Sequence, residues 1–166
     1  PLRVAPGRYV LETSVQDVES SKFSARRAVL VVPPVSKFRL SEPVLVRRTE
    51  AVQGEPEADD PLVMREQRVV PALVDSLKGG KGAQIPLYFL LYSNAGAKPK
   101  VLVDVLKDEK LIARHSPGSD AADSTGKSTF LVNLPAEALS PGQYELRITA
   151  THEQAAAQER LFVTIE

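Results

Sequence analysis

From Tyr144 to Ala150 the chain alternates: Tyr144, Leu146, Ile148 and Ala150 are apolar, while Glu145, Arg147 and Thr149 between them are polar. A period of two predicts a strand with one buried and one wet face. Pro141 and Gly142 stand just ahead of it and predict a tight corner, because one restricts the backbone and the other frees it. The same arrangement occurs near the start of the sequence. Pro6, Gly7, Tyr9 and Leu11 fall where Pro141, Gly142, Tyr144 and Leu146 fall. Each copy then passes through a polar stretch to an Arg and a second apolar run. These are Arg27 with Ala28 to Val32, and Arg160 with Leu161 to Ile165. The copies are offset by 135 at the corner (141 − 6) and by 133 at the Arg (160 − 27), so the first is two residues longer, at the tip. Both copies are predicted to be antiparallel hairpins.

A Tyr just after a corner that leads into a penultimate strand is the tyrosine-corner arrangement of Greek-key sandwiches. The second copy closes a long run of predicted strands. These cover residues 68–74, 85–92, 100–106, 111–113 and 129–134. Residues 85–92 are apolar on both sides, the pattern of a central strand. Pro71 within the first of them predicts an edge or a switch between sheets. Residues 135–139 read as one helical turn. With the closing hairpin the total is seven, the number expected of an immunoglobulin-like or fibronectin type III-like antiparallel β-sandwich. The fold class is therefore all-β.

The first copy has no such run before it, and a lone two-stranded hairpin is marginally stable in water. Residues 1–34 are thus expected to be the terminal hairpin of an incomplete upstream sandwich. Residues 35–61 read as a connecting segment with a strand at about 38–48 and an acidic linker at 50–61. The sandwich proper is expected at 62–166. Tyr9, Leu11, Val15, Val29 and Val31 give the hairpin an apolar face. The expectation is that it pairs with 38–48 into a three-stranded sheet and forms a homodimer through residues 1–48.

Composition narrows the functional classes. Lys plus Arg and Asp plus Glu both number 21, so the formal net charge is zero. That argues against a nucleic-acid or anionic-membrane binder, which would be basic. Thirteen Pro and nine Gly suit many short strands. With no Cys there is no disulfide or thiolate chemistry. No apolar run approaches the roughly 18–20 residues of a membrane span. The sequence opens without a basic-then-apolar leader, which says nothing about export.

The strings PGRYVLE (6–12), ARRAVLVVPP (25–34), LSEPVLVRR (40–48), RVVPALVDSLKGG (68–80), IPLYFLLY (85–92) and PGQYELRITA (141–150) together resemble the C-terminal region of bacterial von Willebrand factor A-related domain proteins. The resemblance spans nearly the whole chain, and its motifs are structural. It implies an upstream adhesion-type domain and an extracytoplasmic (periplasmic or secreted) setting. The metal site of a von Willebrand A domain needs Asp-x-Ser-x-Ser, and the nearest string, Asp123 to Lys127, breaks that pattern at Lys127. That domain and its metal are not expected in these residues.

Candidate chemistry is sparse. Gly126-Lys127-Ser128 resembles the end of a phosphate-binding loop, but Ala121 stands where that loop needs a Gly and a strand follows. His115 and His152 are the only histidines; either is a general-base candidate, and both read as solvated loop or hairpin residues. Glu55, Glu57, Asp59 and Asp60 are calcium candidates without EF-hand spacing. Asp104, Asp108 and Glu109 read as surface and turn residues. Tyr88, Phe89 and Tyr92 form a candidate binding face for sugar or peptide, set against core packing. No catalytic residue, metal site or cofactor is expected. The expected role is a non-enzymatic accessory, spacer or protein-interaction module of an exported bacterial multi-domain protein. Its partner would be another protein or the upstream domains. The alternative is a carbohydrate-binding module serving a partner enzyme.

Overall fold

The structure is a computed structural model that describes residues 4–34, 36–52, 54, 60–64, 66–118 and 120–166. The chain divides into two compact units, residues 1–36 and 37–166.

The first unit is a hairpin of β1 (Gly7–Gln16) and β2 (Phe23–Val32), paired from Gly7↔Val32 to Gln16↔Phe23. The Asp17 side chain shapes the tip by accepting from the amides of Glu19 (2.9 Å) and Ser20 (3.1 Å). The register puts Tyr9, Leu11, Leu30 and Val32 on one face and Val10, Val29 and Val31 on the other. This corrects the expected single apolar face. Val29 and Val31 oppose Val10 and Arg8, so they lie across the sheet from Tyr9 and Leu11.

The second unit contains β3 (Arg39–Leu40), β4 (Val44–Ala51), β5 (Val63–Met64), β6 (Gln67–Pro71), β7 (Ser76–Leu77), β8 (Gln84–Tyr92) and β9 (Lys100–Lys107). It continues with β10 (Lys110–His115), β11 (Lys127–Pro135), β12 (Gly142–His152) and β13 (Ala155–Ile165). One sheet runs β10-β9-β12-β13-β7 and the other β11-β8-β4-β6-β5, with β3 also on β8. They pack as an immunoglobulin-like β-sandwich, as the strand pattern predicts.

The expected three-stranded sheet does not form. Residues 38–48 supply β3 and β4, which lie end to end along β8 through Arg39↔Tyr92 and Val44↔Tyr88. The sandwich therefore begins at Lys37, not at residue 62, and the expected connecting segment supplies β3 and β4 to it. The chain then bends: β4 continues to Ala51 against β6. The β6 strand ends at Pro71, and the chain crosses to the opposite sheet, where β7 pairs parallel with β13. That is the sheet switch Pro71 predicts. Residues 136–139 make a single turn, with the Leu139 amide donating to Ala136 (3.0 Å), in place of the expected helical turn.

Alternation fills the core. Val101, Val103 and Val105 of β9 and Tyr144, Leu146, Ile148 and Ala150 of β12 meet Ile85, Leu87, Phe89 and Leu91 of β8 and Phe130, Val132 and Leu134 of β11. The Phe89 and Phe130 rings stack with centroids 4.9 Å apart. The other face of β8 carries Tyr88 and Leu90, which a second cluster covers with Val46 and Val69. Burial on both faces is the physical reason residues 85–92 show no alternation. Among the described residues no helix is long and apolar enough to cross a membrane.

Candidate functional site

The corner residues position the closing strands. The Tyr144 hydroxyl donates to the Ser140 carbonyl at 2.8 Å, and the ring is buried. Gly142 holds φ at 138°, in the region that favours glycine. Lys107 Nζ caps the corner, donating to Ser140 Oγ (2.8 Å) and the Pro141 carbonyl (3.1 Å) from 5.0 Å off the Tyr144 ring. In the hairpin, Tyr9 makes the equivalent bond, donating to the Ala5 carbonyl at 2.8 Å. Pro6 and Gly7 occupy the turn ahead of it, but here the ring is only half-buried.

The candidate aromatic face is not a surface strip. Phe89 lies in the main core and Tyr88 in the second cluster, on opposite faces of β8. The Tyr88 hydroxyl donates to the Pro61 carbonyl at 2.6 Å. Burial, then the neighbouring Tyr92 and Asp60, push its pKa up to about 12. Tyr92 is half-buried beneath the Arg39 guanidinium, 4.5 Å from its ring centroid. This corrects the binding-face expectation. A strand covered on both sides offers no aromatic platform, so the carbohydrate-binding alternative loses the residues it rested on.

The titratable candidates are held apart or tied into the architecture. His115 is the exposed last residue of β10, not a loop residue. His152 ends β12 and lines a cleft of about 410 Å³ with Lys37, Phe38, Asn94, Glu153, Gln154 and Ala155. Asp60 accepts from the Leu62 amide (2.9 Å) and pairs with Arg68 (2.7 Å). Glu55, Glu57 and Asp59 lie outside the described residues. Among the described residues no group of three or more His, Asp or Glu is placed to hold a metal ion. Asp108 and Glu109 form the β9–β10 turn at φ 49° and 62°.

Gly126-Lys127-Ser128 lies at the entry to β11, not before a helix. Asp123 organises it, accepting from the Thr125 hydroxyl (2.6 Å), the Thr125 amide (2.8 Å) and the Lys127 amide (3.0 Å). The Thr125 hydroxyl bond first, and then the Lys127 amide, hold that carboxyl below its usual range. Ser128 Oγ is buried, has no hydrogen-bond partner among the described residues and lies beside a cleft of about 320 Å³.

Sequence reasoning missed a charged ladder on the outer face of the five-stranded sheet. Arg114 makes a two-pronged bond to Asp104 (2.7 and 2.8 Å), which lowers the Asp104 pKa. Asp104 stands opposite Arg147, and Arg147 opposite Arg160. Glu145 joins the last two, at 2.8 Å from Arg147 and 3.5 Å from Arg160. Phe162, 50 % exposed, pairs with Glu145 on the same face. The available signal was the polar half of each strand's alternation, which shows an outward side but not which strands adjoin. No protein-family model matches the chain, and no curated protein is similar to it.

Proposed function

We propose that residues 37–166 are a non-enzymatic accessory module, acting as a protein-interaction domain or spacer in an exported bacterial multi-domain protein of the von Willebrand factor A-related kind. The ladder of Arg114, Asp104, Arg147, Glu145 and Arg160 supports this reading. It lies on four adjacent strands of a well-packed sandwich, with Phe162 as an apolar contact at its side. A rigid face with interspersed charges of both signs suits recognition of another protein surface, where charge pattern selects the partner and apolar contact holds it. Three of the residues singled out for chemistry are otherwise engaged: Asp104, Asp123 and Tyr88 hold the architecture together.

The test is made in the whole exported protein. In an interaction module, Arg147→Glu with Arg160→Glu weakens partner association tenfold or more while the unfolding transition of 37–166 stays in place. In a spacer, the pair is silent, and exchange of 37–166 for an unrelated sandwich of similar length is silent too. Loss of a chemical turnover in His115→Ala or His152→Ala, with the fold intact, overturns both readings.

A further inference from the structure

We propose that β1–β2 is the closing hairpin of a second immunoglobulin-like sandwich. The free edge of β1 then receives an antiparallel strand, aliphatic at alternate positions, from residues that precede the hairpin in the same polypeptide. The inference deepens the module reading and rests on it in one respect, that the chain is part of a larger polypeptide.

The two hairpins agree in detail. Tyr9 and Tyr144 each donate to the carbonyl four residues upstream, both at 2.8 Å. Their registers coincide as well. Tyr9↔Leu30, Leu11↔Ala28 and Glu12↔Arg27 stand where Tyr144↔Val163, Leu146↔Leu161 and Arg147↔Arg160 stand. The extra length falls at the tip, between Asp17 and Lys22, where the second hairpin has only Glu153 and Gln154 between its strands.

They differ in cover. Tyr144, Leu146, Val163 and Ile165 are at most 2 % exposed, whereas Leu11 and Leu30 are 42 % and 38 % exposed. The second hairpin is covered both along its edge and across its face. β9 takes the other edge of β12, from Glu145↔Leu106 to Thr151↔Lys100. Its inward side chains, Val101, Val103 and Val105, extend the apolar face that β8 and β11 close. Carried over by the corner offset, that edge is Val10 to Gln16. A strand seated there would place aliphatic side chains beside Leu11, Thr13 and Val15. Among the described residues no strand but β2 pairs with β1, which leaves a long edge of the kind that captures strands.

The order of the chain names the source. Every strand that covers β12–β13 precedes it in sequence. The β9 of a second copy is not the donor, because it is already paired on both edges, with β10 and β12.

The experiment compares amide exchange and melting of the 166-residue chain with those of the natural polypeptide that carries the preceding residues. The expected result is that β1 amides exchange about a hundredfold more slowly in the longer polypeptide, which stays monomeric. Leu11→Glu there lowers an unfolding transition that the shorter chain lacks. Val10→Glu, at the position equivalent to Glu145, leaves that transition nearly unchanged. Equal exchange in the two proteins overturns the proposal, as does a natural polypeptide with nothing ahead of the hairpin. Protection of β1 in the 166-residue chain by itself also overturns it. If that protection is concentration-dependent the occupant is a second copy, and if not, residues 37–166. None of these readouts depends on Arg147 or Arg160, so failure here and failure of the module reading are told apart.

Discussion

The Tyr144 hydroxyl donates to the carbonyl of Ser140 at 2.8 Å from a ring only 2 % exposed. The phenol closes the corner through which the chain enters β12. Tyr144→Phe keeps the packing and leaves that carbonyl without this donor. The expected loss is about 1 kcal/mol in denaturant unfolding. Tyr9→Phe, at the half-buried equivalent, should cost less.

Leu146 is fully buried between neighbours from both sheets. Leu146→Ala should destabilise residues 37–166 by roughly 2–5 kcal/mol, through lost contacts and the cavity left behind. Thr149→Ala, on the outer face of the same strand, should stay within about 0.5 kcal/mol. Equal effects in chemical denaturation would contradict the register of β12.

Gly126 holds φ at 78°, and a Cβ there would be driven into the carbonyl oxygen of Ser93. That close approach lets the Ser93 amide donate to the Gly126 carbonyl at 2.7 Å. Gly126→Ala should lower stability by at least ~1 kcal/mol, since neither backbone angle nor space suits a side chain. Lys127→Ala, one residue on, should be mild. Melting temperatures of the two variants provide the comparison.

Tyr88 ionises at about 12 in the folded chain against 10.0 as its ordinary value. Its stabilising effect is complete below the ordinary value. As pH rises past that value the unfolded state loses its proton first, and the contribution is gone once the pH has passed the folded value. Stability should therefore fall between about pH 10 and 12 more steeply than in Tyr88→Phe. At neutral pH that variant should be about 1 kcal/mol weaker, from the lost bond to Pro61. Denaturant midpoints across this range test both parts.

Glu159 stands opposite Ile148 on the core-facing side of β13. Burial, then the charge of Glu42, raise its carboxyl pKa. Below the ordinary carboxyl range the side chain is neutral whether folded or not. As pH rises through the raised value, ionisation costs the folded state more than the unfolded one. Glu159→Gln should therefore stabilise the protein at neutral pH, and the gain should vanish below about pH 4. Unfolding curves at the two pH values decide it.

The candidate site was less legible than the fold. A phenol on a strand has the same local pattern whether it meets solvent or a second layer. Local pattern therefore leaves Tyr88 and Tyr92 a surface option, and it is Val46 of β4 and Val69 of β6 that pack with Tyr88 into a second cluster. The ladder of Arg114, Asp104, Arg147 and Arg160 was hidden for the opposite reason. Each is an ordinary outward polar residue, and only the pairing of four strands puts them in line.

Alternation alone determined which residues of β9, β11 and β12 face inward, because side chains in a strand must point to opposite sides of the sheet. The corner was equally local: Pro141, Gly142 and Tyr144 lie within four residues, so their geometry needs little from the rest of the chain. Tertiary structure decided the partner of each edge. Residues 38–48 are as apolar as a strand of either unit, and their place on β8 follows from covering Tyr88, Leu90 and Leu91. The parallel contact of β7 with β13 rests on Ser76↔Thr164 and Leu77↔Ile165. Those pairs lie far apart in sequence, and no local pattern encodes which strand a chain end meets after it crosses between sheets.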